Sequence, residues 1–400
     1  MDLKEAKEKA QKCLECENPS CVKGCPLNIR IPDLMRCIKE EKLEEAYHII
    51  LEKSYFGSVC GRVCSHDSQC RGACVQSEKG DPVDIGALEA FVSDWGLQNS
   101  NIGKKENNVL NKERIAVVGA GPAGLTAAIK LERKGYAVTL FEKTSEVGGI
   151  LQYGIPEYRL PKDIMYDTVD AITMARMEIE VGKELGKDFE IDDLFRQGYK
   201  AVFLAIGCET PKRLVANGTD KRGVYHANEF LKRMEYIKFE NVVVIGGGNV
   251  AMDVARMAKA RGAKTVNVLY RRARAEMKAN QKEIISAIES GINVVPNSVV
   301  TDIMGQESVT SVKCQNNTTY KCDTVVIAIG SLPNLRILGD LKLTEEDLVA
   351  VNENGETSRE NVFAGGDLTC RNANVSEAIK SANIAVDGIE KKMIEYKRSL

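Results

Sequence analysis

The 400-residue sequence lacks a charge bias, a long apolar run and a histidine pattern. Its 55 basic and 57 acidic residues nearly cancel, which argues against nucleic acid or an acidic membrane as a bulk partner. No apolar run approaches the ~20 residues that span a bilayer, and the N-terminus is charged where a signal peptide is apolar. The 3 histidines are scattered, and we assign no catalytic residue. We therefore expect a cytoplasmic protein.

An apolar run that ends in a glycine-rich turn forms the first candidate nucleotide site. The turn has glycines at the one-three-six spacing and predicts a strand, a tight turn and a helix whose N-terminus faces a pyrophosphate. The next predicted strand ends at Glu142, whose carboxylate could accept from a ribose hydroxyl. A glycine turn without a ligand is the alternative interpretation. The candidate residues of the turn are Gly119, Ala120, Gly121, Pro122, Ala123 and Gly124.

A second copy of this pattern follows downstream, with Ala251 in place of the third glycine. Its next strand ends in Arg271 and Arg272 and has no acidic residue there. Two guanidinium groups suit a 2′-phosphate, so this half favours NADPH over NADH. Two turns in one chain imply two nucleotide cofactors. The candidate residues of the second turn are Gly246, Gly247, Gly248, Asn249 and Val250.

Cysteines are crowded into the start of the chain, where 9 of the 13 precede residue 75. Such crowding indicates ligation, because cytosolic disulfides seldom persist. The spacing of the first quartet is close to that of bacterial ferredoxins and favours two [4Fe-4S] clusters. Zinc is the competing interpretation, although only one close Cys-x2-Cys pair is present, and free buried thiols are a third. The two quartets are Cys13, Cys16, Cys21 and Cys25, and Cys60, Cys64, Cys70 and Cys74.

These features together resemble the small subunit of glutamate synthase. The cysteine spacing, the segment 82–89, the two glycine turns and the segment 148–161 carry the resemblance, which covers essentially the whole chain. The NADPH-side portion of dihydropyrimidine dehydrogenase is similar, as is the large subunit of the electron-bifurcating NADH-dependent NADP-ferredoxin oxidoreductase. The resemblance implies an α/β fold in which an α-helical, ferredoxin-like domain with two [4Fe-4S] clusters precedes two Rossmann-like domains, one for FAD and one for NADPH.

The resemblance also implies a division of the cluster ligands. One cluster would be held by Cys13, Cys16, Cys21 and Cys74. The other would be held by Cys25, Cys64, Cys70 and a non-cysteine ligand, for which Glu89 occupies the family's position and Cys60 is an alternative. It further places Gly149, Ile150 and Arg159 near the flavin ring and diphosphate, and Gly366 and Asp367 near its ribityl chain. Gly330, which ends an apolar run, is a further cofactor contact.

The predicted domain organisation has four segments. Residues 1–108 form the iron-sulfur domain, 109–215 the first part of the FAD domain, 216–323 an inserted NAD(P)H domain, and 324–400 the second part of the FAD domain. Residues 95–111, rich in Asn, Gly and Lys, are predicted to be a linker. The two apolar runs 199–207 and 324–330 are predicted to be the strands at which the chain leaves and re-enters the FAD domain.

The expected function is oxidation of NADPH by FAD, with single electrons leaving through the clusters. About 25 residues follow the cofactor domains, too few for an acceptor domain, so a partner must supply that site. A glutamate-synthase-like complex is the leading hypothesis. Pyrimidine dehydrogenase, a free-standing NADPH:ferredoxin reductase and a non-catalytic redox-sensing subunit are the alternatives. A thioredoxin-reductase-like enzyme is excluded, because Cys314 and Cys322 do not form a Cys-x2-Cys dithiol.

Overall fold

Helices account for the first part of the chain in the computed structural model, which describes residues 1–99, 113–370 and 374–399. In α1 and α3 the apolar positions recur at helical spacing, so each helix buries one face. Short 3₁₀ segments at His66–Ser68 and Val75–Lys79 connect the cysteine-bearing loops. The helices are α1 (Leu3–Ala10), α2 (Ser20–Gly24), α3 (Ile31–Lys39), α4 (Leu43–Leu51), α5 (Gly57–Val63) and α6 (Ile85–Asn99).

Helices α5 and α6 pack closely because small residues face each other between them. A side chain at Gly61 would lie 2.6 Å from the backbone nitrogen of Ala90, and one at Gly57 would clash with Ser93. Only glycine permits this approach. As a result, Cys64, which directly follows α5, lies near Glu89 on α6.

The predicted linker is wrong in its first part. Residues Trp95–Asn99 continue helix α6, and Gly96 lies against the ring of Tyr47, so this glycine serves packing and does not end the helix. The buried face of α6 continues through Val92, Ser93 and Gly96. The rest of the predicted linker, residues 100–111, lies outside the described residues.

A five-stranded parallel sheet in the order β15-β4-β1-β2-β3 follows in the same compact unit, which comprises Met1–Gln152, Glu157–Cys208 and Pro333–Leu400. Its strands are β1 (Arg114–Val118), β2 (Ala137–Glu142), β3 (Glu178–Val181), β4 (Ala201–Leu204) and β15 (Val362–Ala364). Its helices are α7 (Pro122–Arg133), α8 (Ile150–Tyr153), α9 (Lys162–Thr173), α10 (Ile191–Arg196) and α14 (Val375–Ser399). Because β2 and β4 flank β1 on opposite sides, the carboxyl end of β1 is a topological switch point, where such sheets bind ligands.

The second compact unit comprises Tyr153–Pro156 and Glu209–Leu332 and contains a second parallel sheet in the order β6-β13-β7-β8-β9. Its chain starts with β5 (Thr210–Pro211), β6 (Val224–His226), α11 (Ala227–Arg233), β7 (Asn241–Ile245), α12 (Asn249–Ala260), β8 (Thr265–Leu269), α13 (Gln281–Glu289) and β9 (Asn293–Val295). An antiparallel meander follows, built from β10 (Val300–Met304), β11 (Ser311–Cys314) and β12 (Thr319–Lys321). The unit ends with β13 (Thr324–Ile327) and β14 (Ser331–Leu332), which pairs with β5.

The predicted boundary at Thr324 requires a correction. Strand β13 pairs with β7 and β6, so it belongs to the second sheet and not to the first, which contains the other strand of the predicted FAD domain's second part, β15. The runs 199–207 and 324–330 look alike in sequence because β4 and β13 are both fully buried strands of parallel sheets. Sequence alone does not tell which sheet each joins. At the other end, the second unit already begins at Glu209, before the predicted residue 216.

Over the described ranges, no helix combines the length and the apolarity that a membrane span requires.

Candidate cofactor sites

The first glycine turn connects β1 to α7 and leaves no room for a side chain at two of its three glycines. The backbone φ of Gly119 is +101°, and a Cβ there would clash with the carbonyl oxygen of Ala205. A Cβ on Gly124 would clash with the carbonyl oxygen of Gly119, so helix and strand are in contact. By contrast, a Cβ on Gly121 would meet no protein atom within 4 Å. The fold itself therefore does not require a glycine at position 121. A ligand that approaches the backbone closely would require one.

Glu142, at the end of β2, is buried and supports the same turn. One carboxylate oxygen accepts from the backbone nitrogen of Ala120 at 2.8 Å, and the other from the backbone nitrogen of Thr144 at 2.9 Å. The carbonyl of Ala120 accepts from the backbone nitrogen of Gly148 at 2.8 Å. The carboxylate thus fixes the turn. Its predicted contact with a ribose hydroxyl stays a prediction.

Two further loops of the first unit converge on this turn. A Cβ on Gly149 would lie 2.8 Å from the Cα of Gly121, and Ile150 begins α8 directly after it. From the other side, a Cβ on Gly366 would lie 3.1 Å from the Cβ of Ala123. The structure therefore brings together these predicted flavin contacts, which are distant in sequence.

The segment around Asp367 is held by side chains that the sequence pattern did not single out for that role. The backbone nitrogen of Gly366 donates to Ser381 Oγ on α14 at 2.7 Å, and Cys208 Sγ donates to the carbonyl of Asp367 at 3.0 Å. Burial raises the pKa of the Asp367 carboxyl to about 6. Neither Ser381 nor Cys208 is a sequence neighbour of the residue that it contacts, so no sequence motif could have indicated these hydrogen bonds.

Arg159 lies next to the iron-sulfur domain. Its Nη2 atom donates to the carbonyl of Val63, the residue before Cys64, at 3.4 Å. The predicted contact between Arg159 and the flavin stays a prediction.

The second glycine turn, between β7 and α12, repeats the geometry of the first. The backbone φ of Gly246 is +152°, and a Cβ there would clash with the carbonyl of Ala328. Gly247 lies against the ring of Tyr270, and a Cβ on Gly248 would meet nothing within 4 Å. The position equivalent to Gly121 is therefore open here too.

The first residues of α12 differ in their surroundings. Asn249 Oδ1 accepts from the backbone nitrogen of Asn280 at 2.8 Å, which ties the turn to the loop before α13. The side chain of Val250 is 41% exposed.

The two arginines after β8 are exposed. The strand ends at Leu269, earlier than predicted, so Arg271 and Arg272 lie in the following loop. Arg272 Nη1 is 3.8 Å from Glu276 Oε1 in an exposed ion pair, which is weak. Gly330 lies between β13 and β14 in the second unit, and not in the first unit, which contains the rest of the segment predicted as the second part of the FAD domain.

The cysteines of the first predicted cluster face a common cavity. Burial and the neighbouring thiolates raise the pKa of Cys21 to about 11. Pro19 and Ile31 contribute apolar walls. The four thiols that line this cavity are Cys13, Cys16, Cys21 and Cys74.

The second predicted set is more deeply buried. Burial raises the pKa of Cys25 to about 11, and burial, Glu89 and the neighbouring thiols raise the pKa of Cys70. Glu89 is 6% exposed, burial raises its pKa well above the usual value, and its Oε1 atom has no hydrogen-bond partner. The neighbouring Cys64 and burial raise the pKa of the Cys60 thiol well above its usual value. Burying a carboxylate among thiols without a hydrogen-bond partner costs free energy unless a cation also binds there.

These donors fit iron-sulfur clusters. Within the described ranges, no three His, Cys, Asp or Glu side chains could hold a single metal ion. A cubane is a larger body than an ion, and its four ligands stand farther apart. Two separate sets of partly buried thiols, one with a buried carboxylate whose Oε1 atom has no hydrogen-bond partner, suit that geometry.

Two switch-point glycine turns and an iron-sulfur domain define the class of the protein, a flavin- and nicotinamide-dependent oxidoreductase with iron-sulfur clusters. Residues 113–387 match the family model described as pyridine nucleotide-disulphide oxidoreductase. Residues 1–101 match the model of dihydropyrimidine dehydrogenase domain II, 4Fe-4S cluster. The chain belongs to the pyridine nucleotide-disulphide oxidoreductase family, in the group that includes the small chain of glutamate synthase. The predicted fold class and the predicted cofactors are confirmed.

Relatives with different named activities are about equally similar. The glutamate synthase [NADPH] small chain of Escherichia coli K12 is 30% identical, over 96% of this chain and 91% of its own. The NAD-dependent dihydropyrimidine dehydrogenase subunit PreT of Escherichia coli O157:H7 is 30% identical, over 96% and 93%. The NADP(+)-dependent formate dehydrogenase subunit beta of Moorella thermoacetica is 33% identical over 92% of this chain, which spans 59% of that protein.

Among solved structures, thioredoxin reductase of T. acidophilum has a TM-score of 0.59 at 23% identity. It covers 71% of this chain and 100% of its own, and the likeness shows the fold alone.

Proposed function

We propose that this chain is the NADPH-oxidising, electron-input subunit of a glutamate-synthase-like enzyme. FAD takes up electron pairs from NADPH and iron-sulfur clusters pass electrons on singly, so the two together convert a two-electron donor into a one-electron supply. One observation carries the proposal: a single chain combines two glycine turns that are open at Gly121 and Gly248 with two separate sets of partly buried thiols.

The task of the protein in this proposal is placement. Gly121 and Gly248 leave room for a pyrophosphate to approach the backbone, and the N-termini of α7 and α12 supply N–H groups and positive dipole ends. Asp367 would accept from a ribityl hydroxyl, and α14 would direct its positive end at the flavin pyrimidine. No side-chain acid or base is needed, so we assign no catalytic residue.

The electron acceptor site is proposed to lie on a partner subunit. Relatives of this chain are named as subunits of larger enzymes, which supports a partner here as well. The test is to purify the chain anaerobically with its native partner and to assay NADPH oxidation with glutamine plus 2-oxoglutarate, with uracil and with ferredoxin. Turnover with glutamine and 2-oxoglutarate is expected. Turnover on uracil alone would eliminate this proposal.

A pyrimidine dehydrogenase subunit is the second candidate. It is favoured by the PreT relative, which this chain matches along 93% of its length, and by the family model that matches residues 1–101. A free-standing NADPH:ferredoxin oxidoreductase would instead turn over with ferredoxin and need no partner. A non-catalytic subunit would bind flavin that NADPH does not bleach.

A further inference from the structure

The loop that carries the arginine pair begins and ends at the second glycine turn. We call residues 270–280 the arginine loop. At its start, the ring of Tyr270 packs against Gly247 so closely that a Cβ on this glycine would lie 2.4 Å from a ring carbon. At its end, the backbone nitrogen of Ala279 donates to the carbonyl of Gly247 at 3.0 Å, and Met277 is buried in the core of the unit. Both ends of the loop are therefore fixed to the turn that would hold the pyrophosphate.

The hydroxyl of Tyr270 connects the start of the arginine loop to its far side. It donates to the backbone carbonyl of Glu276 at 2.8 Å. The carboxylate of Glu276 in turn accepts from the backbone nitrogen of Ala273 at 3.1 Å, which tightens the turn after the arginine pair. One side chain thus contacts the glycine turn with its ring and the turn after the arginines with its hydroxyl.

The backbone of the first residues of the loop is paired with residues at and after the end of β9. The backbone nitrogen of Tyr270 donates to the carbonyl of Val295 at 3.0 Å, and its carbonyl accepts from the backbone nitrogen of Ser298 at 2.8 Å. The carbonyl of Arg272 accepts from the backbone nitrogen of Asn297 at 2.9 Å. Asn297 has a φ of +55°, a conformation that asparagine adopts more readily than most residues. These bonds fix the loop as far as Arg272, and the Tyr270 hydroxyl joins the following turn to this fixed part.

The side chains of the arginine loop are exposed from Arg271 to Glu276. A guanidinium group on a loosely held loop loses conformational entropy when it binds a phosphate, and this loss weakens binding. A loop that is already held in place reduces the loss. It also fixes the separation between the arginines and the glycine turn, which must match the separation between the 2′-phosphate and the pyrophosphate of one nucleotide.

We propose that Tyr270 is a positioning residue that determines the nucleotide specificity of this site. Its ring sets the start of the arginine loop on the glycine turn, and its hydroxyl holds the loop where Arg271 and Arg272 meet a 2′-phosphate. NADH has no phosphate at that position, so its binding does not depend on the hydroxyl. This inference rests on the proposed function, in which NADPH is the electron donor.

The test is Tyr270→Phe, which keeps the ring against Gly247 and removes only the hydroxyl. Isothermal titration calorimetry on the FAD-containing protein measures binding of NADP⁺, NAD⁺ and 2′,5′-ADP, which carries the 2′-phosphate without the nicotinamide. The Kd for NADP⁺ and for 2′,5′-ADP should rise about threefold to tenfold, the effect of one hydrogen bond. The Kd for NAD⁺ should stay within about twofold, because the ring still supports the glycine turn.

A double-mutant cycle shows whether Tyr270 acts through the arginines. In a protein that already carries Arg271→Ala and Arg272→Ala, Tyr270→Phe should not weaken NADP⁺ binding any further. The matched control is Tyr225→Phe, which changes another tyrosine that packs against the same core, on the edge strand β6. It should leave the binding of all three ligands unchanged.

Three results would overturn the proposal and leave the assignment of the arginine pair intact. These are an unchanged Kd for NADP⁺ in Tyr270→Phe, an equal loss of NADP⁺ and NAD⁺, and an effect that persists in full without Arg271 and Arg272. Tighter binding of NAD⁺ than of NADP⁺ by the unaltered protein would instead refute the NADPH donor of the proposed function, and with it this role of Tyr270.

Discussion

At the scale of single residues, the preference for NADPH is predicted to depend on Arg271 and Arg272. Replacing both with alanine should raise the KM for NADPH about 10- to 100-fold, since hydrogen bonds to charged groups are worth about 1.5 to 3 kcal/mol. The KM for NADH should stay within about twofold, because NADH has no 2′-phosphate. Steady-state kinetics with both nucleotides measures the difference.

The matched control for this experiment is Arg274→Ala, which removes an exposed arginine of the same loop. It should affect neither nucleotide. An equal loss for NADPH and NADH in the double variant would mean that the pair does not contact the phosphate.

A second residue-scale prediction concerns Lys130 on α7. Burial lowers its pKa from 10.5 to about 8, and Lys53 and Lys134 add to this effect while Asp387 opposes it. The unfolded chain therefore binds more protons than the folded chain between pH 8 and 10.5, so this group makes the free energy of unfolding rise with pH across that window. Lys130→Met should be more stable than the unaltered protein at pH 7, and the difference should shrink towards pH 10.5.

Chemical denaturation of both proteins at several pH values measures that difference. Lys134→Met, which removes a neighbouring lysine that pairs with Glu390, serves as the control. A stability difference that does not vary with pH would contradict the lowered pKa of Lys130.

At the scale of elements, each of the two glycine turns has one glycine that is expected to serve ligand binding and not folding. A Cβ at Gly121 or Gly248 meets no protein atom within 4 Å, so alanine there should change the free energy of unfolding of the cofactor-free protein by less than about 0.5 kcal/mol. Gly121→Ala should nevertheless lose FAD during purification. Gly248→Ala should raise the KM for NADPH and NADH alike, because both carry the pyrophosphate.

Flavin content, nucleotide kinetics and thermal unfolding of the flavin-free proteins together check this prediction. Gly119→Ala provides the contrast, because its positive φ and the carbonyl of Ala205 leave no room for a methyl group. It should destabilise the fold itself. If Gly121→Ala destabilised the fold as much as Gly119→Ala, the open space at Gly121 would not be evidence of a ligand site.

Element by element, local patterns predicted both glycine turns, because turn conformations depend on a few adjacent residues. They did not assign β13 to its sheet, since a fully buried strand has no face that identifies its neighbours. They also ended α6 too early, because a glycine in sequence is equally compatible with a break and with close packing against Tyr47.

At the scale of the whole molecule, removing the clusters should separate the two halves of the reaction. The nucleotide turns lie on β1–α7 and β7–α12, whereas the thiols lie within residues 13–74. In protein stripped of iron, NADPH should still bleach the flavin. The rate should stay within about twofold of that of the intact protein, which corresponds to a difference of ~0.4 kcal/mol between their activation barriers. Transfer to ferredoxin or a partner subunit should fall to background.

Anaerobic stopped-flow absorbance and acceptor reduction by the same samples measure the two halves, with the reconstituted protein as control. Unimpaired acceptor reduction by stripped protein would mean that electrons leave the flavin by another route.

The sequence by itself determined the chemistry of this protein: the glycine spacing, the thiol content and the arginine pair are local features, and their backbone conformations and donor atoms follow from neighbouring residues. Only the tertiary structure decided which strand joins which sheet, which thiols share a cavity, and that Gly149 and Gly366 meet the first glycine turn. Those contacts join residues that are far apart in sequence, and burial and packing select them only once the helices and sheets have come together.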